Sequence, residues 1–237
     1  MKKFLPVLLG GGLILAFLGF FLWQTRKTKE VEPMAKNNSF LPEPRLKGEI
    51  SLEEAIFKRR SQRNFLNKPL SLSQLSQILW AAQGVTDKST GFRTAPSAGA
   101  LYPLEIYLLV KEKGVEGLEV GVYHYQPEKH SLELYLKGYS HSDFVRACLN
   151  QQACNLAPVS LVIAAEYERT TGKYGERGKR YVEIEVGHVG QNIYLQAETL
   201  GLGTVAIGAF IDGEISQVLN LPPSHKPLYI MPIGYPK

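Results

Sequence analysis

A run of positive charge follows the first predicted amphipathic helix of the chain. Residues 58–63, KRRSQR, place Arg59, Arg60 and Arg63 around Ser61. The forked donors of a guanidinium match the oxygens of a phosphate, and a serine hydroxyl can add a further hydrogen bond. A single basic side chain at a helix end more often extends into water. It is the combination of three arginines with a serine that predicts an anion-binding site.

Three further segments are rich in small residues. They are APSAG at 95–99, GLGTVAIGA at 201–209 and the closing GYPK at 234–237. Small residues let backbone amides come close to a planar ring, although glycines in any one loop more often mark turns. Together with the arginines, these segments predict a site for a phosphorylated planar cofactor.

Two other kinds of site are not supported by the spacing. Glu185 and His188 have the E-x-x-H spacing of carboxylate-bridged metal sites, but the second such pair that these sites require is not evident in the sequence. Ser97 lacks the flanking pattern of a hydrolase nucleophile. We therefore predict neither a metal site nor a hydrolase.

The arginine segment must be positioned by a helix that begins near Ser51. Ser51 and Glu54 have the spacing of a capping box, in which each side chain satisfies a free backbone amide at the start of the helix. The 3.6-residue period predicts one buried stripe on this helix. That stripe consists of Leu52, Ala55, Ile56 and Arg59.

The rest of the chain predicts a mixture of helices and strands. Helical patterns cover 71–84, 141–157, roughly 176–200 and a short stretch from 212, and strand patterns cover 104–111, 121–126, 131–137, 159–167, 204–208 and 227–234. The apolar run at 159–167 is typical of an interior strand. On the longest helix, two apolar stripes predict burial or a subunit interface. One contains Val182, Val186, Val189, Ile193 and Leu200, and the other Tyr181, Ile184, His188 and Leu195.

Charge and cysteine content exclude other classes. Residues 1–50 hold eight of the 27 Lys+Arg and four of the 22 Asp+Glu, which leaves 19 against 18, or +1, for residues 51–237. So small a net charge does not favour a nucleic-acid-binding surface. Cys148 and Cys154 lie in a predicted single helix, where they would point in different directions, so a disulfide between them is not expected.

The first residues have the pattern of a membrane anchor. Residues 4–23 carry no charge and are long enough to span a bilayer core. We predict a transmembrane anchor at 1–24, a flexible tether at 25–47 and a folded domain at 48–237. Basic residues flank both ends of the apolar run, and its short basic leader favours the extracytoplasmic side for the domain.

Four motifs in order resemble one known family. They are RRSQRNF, TAPSAGALYPLEIYLL, KYGERGKRYVEIEVGHVGQNIYLQAETLGLGTVAIGAF and PIGYP, and the resemblance covers about residues 48–237. In these the chain is similar to the nitroreductase superfamily of FMN-dependent enzymes, and within it to the SagB/ThcOx-type dehydrogenases. The resemblance implies an α+β fold with a central, mostly antiparallel sheet flanked by helices. It also implies a homodimer with FMN at the interface and the long helix in that interface.

The resemblance assigns cofactor-binding roles to particular residues. Arg59, Arg60, Ser61 and Arg63 would hold the FMN phosphate and ribityl chain, with Lys237 as an additional cation. The Pro-Ser segment would reach the flavin ring from the second subunit, and backbone amides of a later loop would lie beside flavin N5. These residues are Pro96, Ser97, Ala98 and Gly99 in the first case, and Ile207, Gly208 and Ala209 in the second.

The resemblance also implies a reaction. Relatives that oxidise azoline rings are associated with a Lys-Tyr pair, for which Lys173 and Tyr174 are the match here, although a lysine in such a segment is by itself more often solvated. The expected function is a membrane-anchored FMN-dependent dehydrogenase acting on a small heterocycle. Two alternatives are an NAD(P)H-dependent reductase of nitroaromatics or quinones, and a non-catalytic binding module on the same fold. No separate dinucleotide-binding domain is visible, so the use of NAD(P)H stays open.

Overall fold

The computed structural model describes residues 38–237. The predicted anchor at 1–24 and the first part of the predicted tether lie outside the described residues. Among the helices of residues 38–237, none is both long enough and apolar enough to cross a membrane.

A seven-stranded sheet forms the centre of this part of the chain. The described residues form nine strands, of which seven belong to this sheet. They are β1 (Asn38–Phe40), β2 (Val85–Asp87), β3 (Phe92–Arg93), β4 (Leu104–Val110), β5 (Gly121–Gln126), β6 (Ser131–Lys137), β7 (Val159–Glu166), β8 (Gly203–Thr204) and β9 (His225–Gly234). The large sheet has the order β1-β6-β5-β4-β7-β9-β8, and all its strand pairs are antiparallel. Strands β2 and β3 form a separate hairpin.

Helices cover both faces of the sheet. They are α1 (Leu52–Lys58), α2 (Leu72–Gln83), α3 (His141–Ala147), α4 (Gln152–Leu156), α5 (Glu168–Tyr174), α6 (Arg177–Thr199) and α7 (Asp212–Val218), with 3₁₀ turns at Ala98–Ala100 and Pro127–Lys129. Buried residues of α2 and α6 share one core with the sheet, whereas those of α3, α4 and α7 share a second core with its other face. The predicted sheet flanked by helices is confirmed.

The interior strand β7 has a continuous apolar sequence because both of its faces are covered. Leu161 and Ile163 point into the first core, and Val162 and Ala164 point into the second. Successive side chains of a strand alternate between faces, so a strand covered on both sides must be apolar at every position. The interior position predicted for this strand is confirmed, because β7 pairs with both β4 and β9.

Part of the segment predicted as a tether is attached to the sheet. Strand β1 pairs with β6, which would otherwise be an edge strand with free backbone groups. Leu41 is buried, and the backbone of Arg45 exchanges two hydrogen bonds with the side chain of Gln77 on α2. The ordered part of the chain therefore begins before residue 48.

The predicted helix at 141–157 is broken, and this changes the relation between the cysteines. Leu149 and Asn150 have positive φ angles of 57° and 56°, which end α3 before α4 begins. The break brings the thiols of Cys148 and Cys154 into contact, and this hydrogen bond, with burial, raises the pKa of the Cys148 thiol. The prediction that they point in different directions is wrong, although both remain free cysteines inside the second core.

Helix α1 begins as predicted but does not bury the predicted stripe. The Ser51 hydroxyl accepts a hydrogen bond from the Glu54 amide at 3.2 Å, while the Glu54 carboxylate pairs with Lys58 instead of completing the capping box. Ala55 is buried, but Leu52 and Ile56 are 59% and 54% exposed. This short helix packs on α6 and buries only the small residue Ala55, so its larger apolar side chains face outward.

Helix α6 matches the predicted long helix closely. Its valine stripe, with Val182, Val189 and Ile193, lies in the first core. The second stripe is not buried, because Ile184 is 50% exposed and His188 is exposed beside it. Its role in a dimer interface stays a prediction.

Candidate active site

The hydroxyl of Tyr194 joins two of the predicted cofactor segments. It accepts a hydrogen bond from the amide of Ala206 at 2.8 Å and shares a second one with the Ser61 hydroxyl at 2.9 Å. The guanidinium of Arg59 lies over the Tyr194 ring, 5.1 Å from its centroid, which is a cation–π contact. We call these four residues the anchor cluster. The sequence analysis assigned no role to Tyr194, although this residue lies within the third motif.

The anchor cluster lies in a region of unbalanced positive charge. The guanidinium of Arg60 donates to the carbonyls of Phe57 and Arg59 at the end of α1, where free carbonyls need donors. Arg63 is exposed. Within residues 38–237, none of these three arginines forms an ion pair with a carboxylate. The geometry therefore leaves guanidinium groups available for an anion.

The C-terminus runs beside the arginine segment. The amide of Leu66 donates to the Tyr235 carbonyl at 2.9 Å, and that of Lys237 donates to the Asn64 carbonyl at 3.1 Å. Phe65 and Pro236 form a bridge between these contacts. The backbone of Lys237 is thus held next to the end of the arginine segment, and its role as an additional cation stays a prediction.

Of the three predicted backbone donors near the ring, two remain accessible. The amide of Ile207 donates to the Ile230 carbonyl at 2.8 Å, so it is engaged within the sheet. Gly208 and Ala209 are exposed, and the carbonyl of Ala209 is held by the Gln151 side chain at 2.8 Å. The loop therefore offers the backbone of Gly208 and Ala209, but not the amide of Ile207, to a ligand.

The Pro-Ser segment lies at the other half of α6. The Ser97 hydroxyl accepts from the Tyr102 amide at 2.9 Å and is hydrogen-bonded to Glu185, one of the few buried charged residues. Burial raises the pKa of Glu185, whereas the hydrogen bonds from Ser97 and Gln83 act to lower that pKa. The side chain of Ser97 is thus engaged within the chain, which leaves the backbone of Pro96–Gly99 for a ligand. Since Glu185 is buried and His188 is exposed, they do not form a common site.

Lys173 and Tyr174 lie at the end of α5, against the Pro-Ser segment. A Cβ atom placed on Gly99 would be 2.7 Å from the Tyr174 hydroxyl and 3.0 Å from the Lys173 amine. Gly99 also has a φ of 64°, which L-residues seldom adopt. We call Gly99, Lys173 and Tyr174 the Lys-Tyr cluster. Its close approach requires glycine at position 99.

Arg169 fastens α5 to the sheet, a role that no sequence pattern indicated. Its guanidinium binds Glu105 at 2.5 Å and Glu166 at 2.6 Å and donates to the Tyr102 carbonyl at 3.0 Å. Burial alone would raise the pKa of Glu105, but His124 and Arg169 together hold that pKa below its usual range. Glu105, Glu166 and His225 offer ligand atoms within 4.8 Å of one another, but both carboxylates are already engaged by Arg169, and Glu105 also by His124, so we assign no metal.

A groove of about 800 Å³ opens between the 45–50 segment, α1, α2 and the C-terminal half of α6. Trp80, Gln77, Asn192 and Gln196 are among its lining residues, but none of the predicted cofactor residues lines it. The anchor cluster, not this groove, has the donors that a phosphorylated planar cofactor needs. Together with Arg60, Arg63 and the accessible loop residues Gly208 and Ala209, its Arg59 and Ser61 fit FMN.

Comparisons with known proteins agree on one family. The family model described as the Nitroreductase family matches residues 56–235. A Methanocaldococcus jannaschii protein named as a nitroreductase is 53% identical over 186 residues, which are 78% of this chain and 91% of that protein. The microcin-processing protein McbC of Escherichia coli is 30% identical over 163 residues, which cover 67% of this chain and 60% of McbC.

Solved structures share the fold. A Ralstonia eutropha protein named as a nitroreductase superposes with a TM-score of 0.72 at 27% identity, covering 86% of this chain and 92% of that one. The Escherichia coli microcin synthetase McbBCD complex, with truncated pro-MccB17 bound, contains a chain with a TM-score of 0.66 at 24% identity, covering 95% and 94%. The Vibrio harveyi NADPH:FMN oxidoreductase complexed with NAD⁺ has a TM-score of 0.56 at 20% identity, covering 78% and 69%.

Proposed function

The chain belongs to the nitroreductase family, and from this premise we propose that it is an FMN-dependent dehydrogenase of the SagB type that oxidises an azoline-like or other small heterocycle. The observation that carries the proposal is the anchor cluster. Its Arg59 and the neighbouring Arg60 and Arg63 lack a carboxylate partner within the described residues, and its Ala206 leads into the loop that exposes Gly208 and Ala209. Such a combination suits a ligand with a phosphate at one end and a flat ring at the other.

The anchor cluster is arranged before the cofactor binds. Tyr194 holds the Arg59 guanidinium over its ring and orients the Ser61 hydroxyl, so less side-chain freedom is lost on binding a phosphate. Arg60, Arg63 and Lys237 add positive charge. When bound, FMN supplies a two-electron acceptor that takes hydride at N5 and gathers negative charge along its N1 and O2 edge. Amides of Gly208 and Ala209 would lie beside N5, and amides or cations near the N1 and O2 edge would stabilise that charge.

Lys173 is the proposed base. Oxidation of an azoline removes a hydride and a proton, and an uncharged Lys173 amine would take the proton that leaves the substrate carbon. Within residues 38–237 its amine forms no ion pair, and it is exposed beside the Tyr174 ring, 5.4 Å from the ring centroid. Tyr174 and Gly99 hold this end of α5 in place.

The substrate class is supported by two comparisons with the same microcin B17 system. McbC is named for the processing of microcin B17, and the McbBCD complex was solved with a truncated precursor bound. The chain spans 60% of McbC, so a peptide-derived heterocycle is proposed for this chain as a class and not as a particular peptide. By the same comparison, other subunits are possible partners.

An alternative is an NAD(P)H-dependent reductase of nitroaromatics or quinones. The Methanocaldococcus jannaschii relative and the Vibrio harveyi oxidoreductase favour it by name. Both activities would use the same anchor cluster. They differ in whether Lys173 is needed, because reduction of a nitro group or quinone requires no proton to be removed from carbon.

We further propose that the enzyme is a homodimer, with the FMN at the interface and α6 in that interface. We also propose that residues 1–24 anchor it in a membrane, with the domain on the extracytoplasmic side. Light scattering in detergent tests the dimer. Protease access to intact cells tests the side of the membrane: cleavage of the domain is expected, and protection would place it inside.

The central experiment is purification of the full chain in detergent. We expect a yellow protein with close to one FMN per chain, which removes two hydrogen atoms from an azoline-containing peptide in the presence of dioxygen and without NAD(P)H. Nitroaromatic or quinone reduction that depends on NAD(P)H, without azoline oxidation, would select the reductase. A colourless protein that ignores added FMN would reject both and leave a non-catalytic binding module.

A further inference from the structure

Arg169 joins the helix that carries Lys173 to three other segments of the chain. It lies in the first turn of α5, four residues before Lys173. Its guanidinium pairs with Glu105 of β4 at 2.5 Å and with Glu166 at the end of β7 at 2.6 Å. It also donates to the carbonyl of Tyr102 at 3.0 Å. One side chain therefore holds α5 both to the sheet and to the stretch that follows the Pro-Ser segment.

The two ends of α5 are held in different ways. The helix has seven residues, and the side chain that it buries is that of Thr170. A helix this short is not stable by itself. At its C-terminal end, Tyr174 packs edge-on against Tyr181 of α6, with 5.2 Å between ring centroids, and Gly175 makes a turn with a φ of 56°. Glycine restrains the backbone least, so the turn does little to fix the direction of α5. The ion pairs of Arg169 supply the restraint at the other end.

The stretch that Arg169 contacts has an unfavourable backbone conformation. Gly99, Ala100 and Tyr102 have positive φ angles of 64°, 53° and 45°. Residues other than glycine seldom adopt such angles, so surrounding contacts must hold them there. Tyr102 has hydrogen bonds at its amide, its ring hydroxyl and its carbonyl, and the last of these comes from Arg169. Loss of Arg169 would therefore remove one of the restraints on the turn that contains Gly99.

We propose that Arg169 is a positioning residue for the dehydrogenase reaction, because it holds the Lys173 amine and the turn at Gly99 in their mutual arrangement. This inference rests on the proposed function, in which Lys173 is the base. Arg169 takes no proton and binds no cofactor; it acts through the placement of α5. A reacting group displaced by about 1 Å can cost about 10²-fold in rate, so a small movement of this helix is enough to slow the reaction.

Arg169→Met tests this proposal, with His124→Gln as the matched control. Arg169 binds one oxygen of the Glu105 carboxylate, and His124 of β5 binds the other at 2.6 Å. Both substitutions therefore remove a partner of the same carboxylate, but only the first releases α5. Both are made in the full chain, which is purified in detergent with FMN and assayed below the melting temperature of each variant.

Kinetics give the first readout. With an azoline-containing peptide as substrate, the kcat of Arg169→Met should fall by about 10- to 100-fold while its KM stays close to that of wild type. His124→Gln should lose stability but keep its kcat. A wild-type kcat for Arg169→Met would overturn the proposal. An equal loss of kcat in the two variants would also overturn it, because the effect would then follow from stability alone.

Hydrogen exchange measured by mass spectrometry gives a second readout, which needs no substrate. In Arg169→Met, the amides of residues 168–174 and 97–102 should exchange faster than in wild type, whereas His124→Gln should leave both segments unchanged. Unchanged protection of α5 in Arg169→Met would overturn the proposal. Failure of the proposed function gives a different result, since wild-type protein without FMN or without azoline oxidation would be seen before any variant is assayed.

Discussion

Two groups of arginines in this molecule differ in their partners. Arg93 and Arg169 are bound to carboxylates, the first to Glu128 and the second to Glu105 and Glu166. Arg59 and Arg60 contact an aromatic ring and backbone carbonyls, and the described residues include no carboxylate bound to either.

This difference distinguishes arginines that hold the fold together from arginines that are available to bind a ligand. A guanidinium whose charge is paired with a carboxylate joins two parts of the fold, and little of its charge is left for a ligand. A guanidinium that is oriented by a ring and leaves its charge unbalanced is available for an anion. The comparison therefore predicts that substitutions in one group should change cofactor binding, and those in the other should change stability.

The largest effect is expected for the anchor group. Arg59→Ala combined with Arg60→Ala removes charge-assisted hydrogen bonds worth about 1.5–3 kcal/mol each, so the Kd for FMN should rise by about 10²- to 10⁴-fold. Fluorescence titration of the apoprotein measures this. The matched control is Arg146→Ala, an exposed arginine paired with Asp143, for which the Kd should not change. A double variant with a Kd within threefold of wild type would move the phosphate elsewhere.

The scaffold group should show the opposite pattern. Arg169→Met leaves Glu105 and Glu166 without their shared partner, and we expect a loss of about 2 kcal/mol in the free energy of unfolding because Arg169 is partly exposed. The melting temperature should fall by about 4–8 °C. The Kd for FMN should stay within threefold. Lys179→Met, which removes an exposed pair with Glu176, is the control and should change neither quantity.

Substitution of Tyr194 tests whether one residue contributes both to cofactor binding and to stability. Tyr194→Phe keeps the ring under Arg59 but removes the hydroxyl that serves Ser61 and the Ala206 amide. We expect a loss of about 1 kcal/mol in stability and a Kd for FMN about fivefold higher. Tyr181→Phe provides the control on the same helix. Equal effects of the two substitutions would argue against a special role for the Tyr194 hydroxyl.

The smallest effect concerns pH. Burial holds the pKa of His225 below its usual value, with Arg169 and His124 acting in the same direction and Glu105 and Glu166 against it. The unfolded chain therefore binds more protons as the pH falls below about 6.5, so stability is highest above that pH and declines below it. Melting curves between pH 7.5 and 5.5 should show this decline.

Substitution of His225 measures its contribution to the pH dependence of stability. His225→Gln should reduce the slope of melting temperature against pH, although His130 and His141, whose pKa values burial also lowers, retain part of it. An unchanged slope would assign the whole effect to those two residues.

Local and periodic features could be predicted from the sequence. The start of α1 at Ser51, the long helix α6, the interior strand β7 and the arginine-serine segment follow from capping residues, hydrophobic period and residue type, which act over a few positions. The buried stripe of α1 was predicted wrongly. Its period is helical, but a helix that contacts its neighbour through Ala55 leaves larger apolar residues outside.

By itself, the sequence indicated which residues could hold a phosphate, and it determined the positions of the long helix α6 and of the central strands, although not those of α5 and β1. The tertiary structure decided that Tyr194 joins Ser61 to Ala206, that Arg169 fastens α5, and that the Lys-Tyr cluster lies far along α6 from the anchor cluster. The physical reason is that each of these contacts joins segments distant in the chain. Their spacing in sequence carries no period, and only packing on the common sheet brings them together.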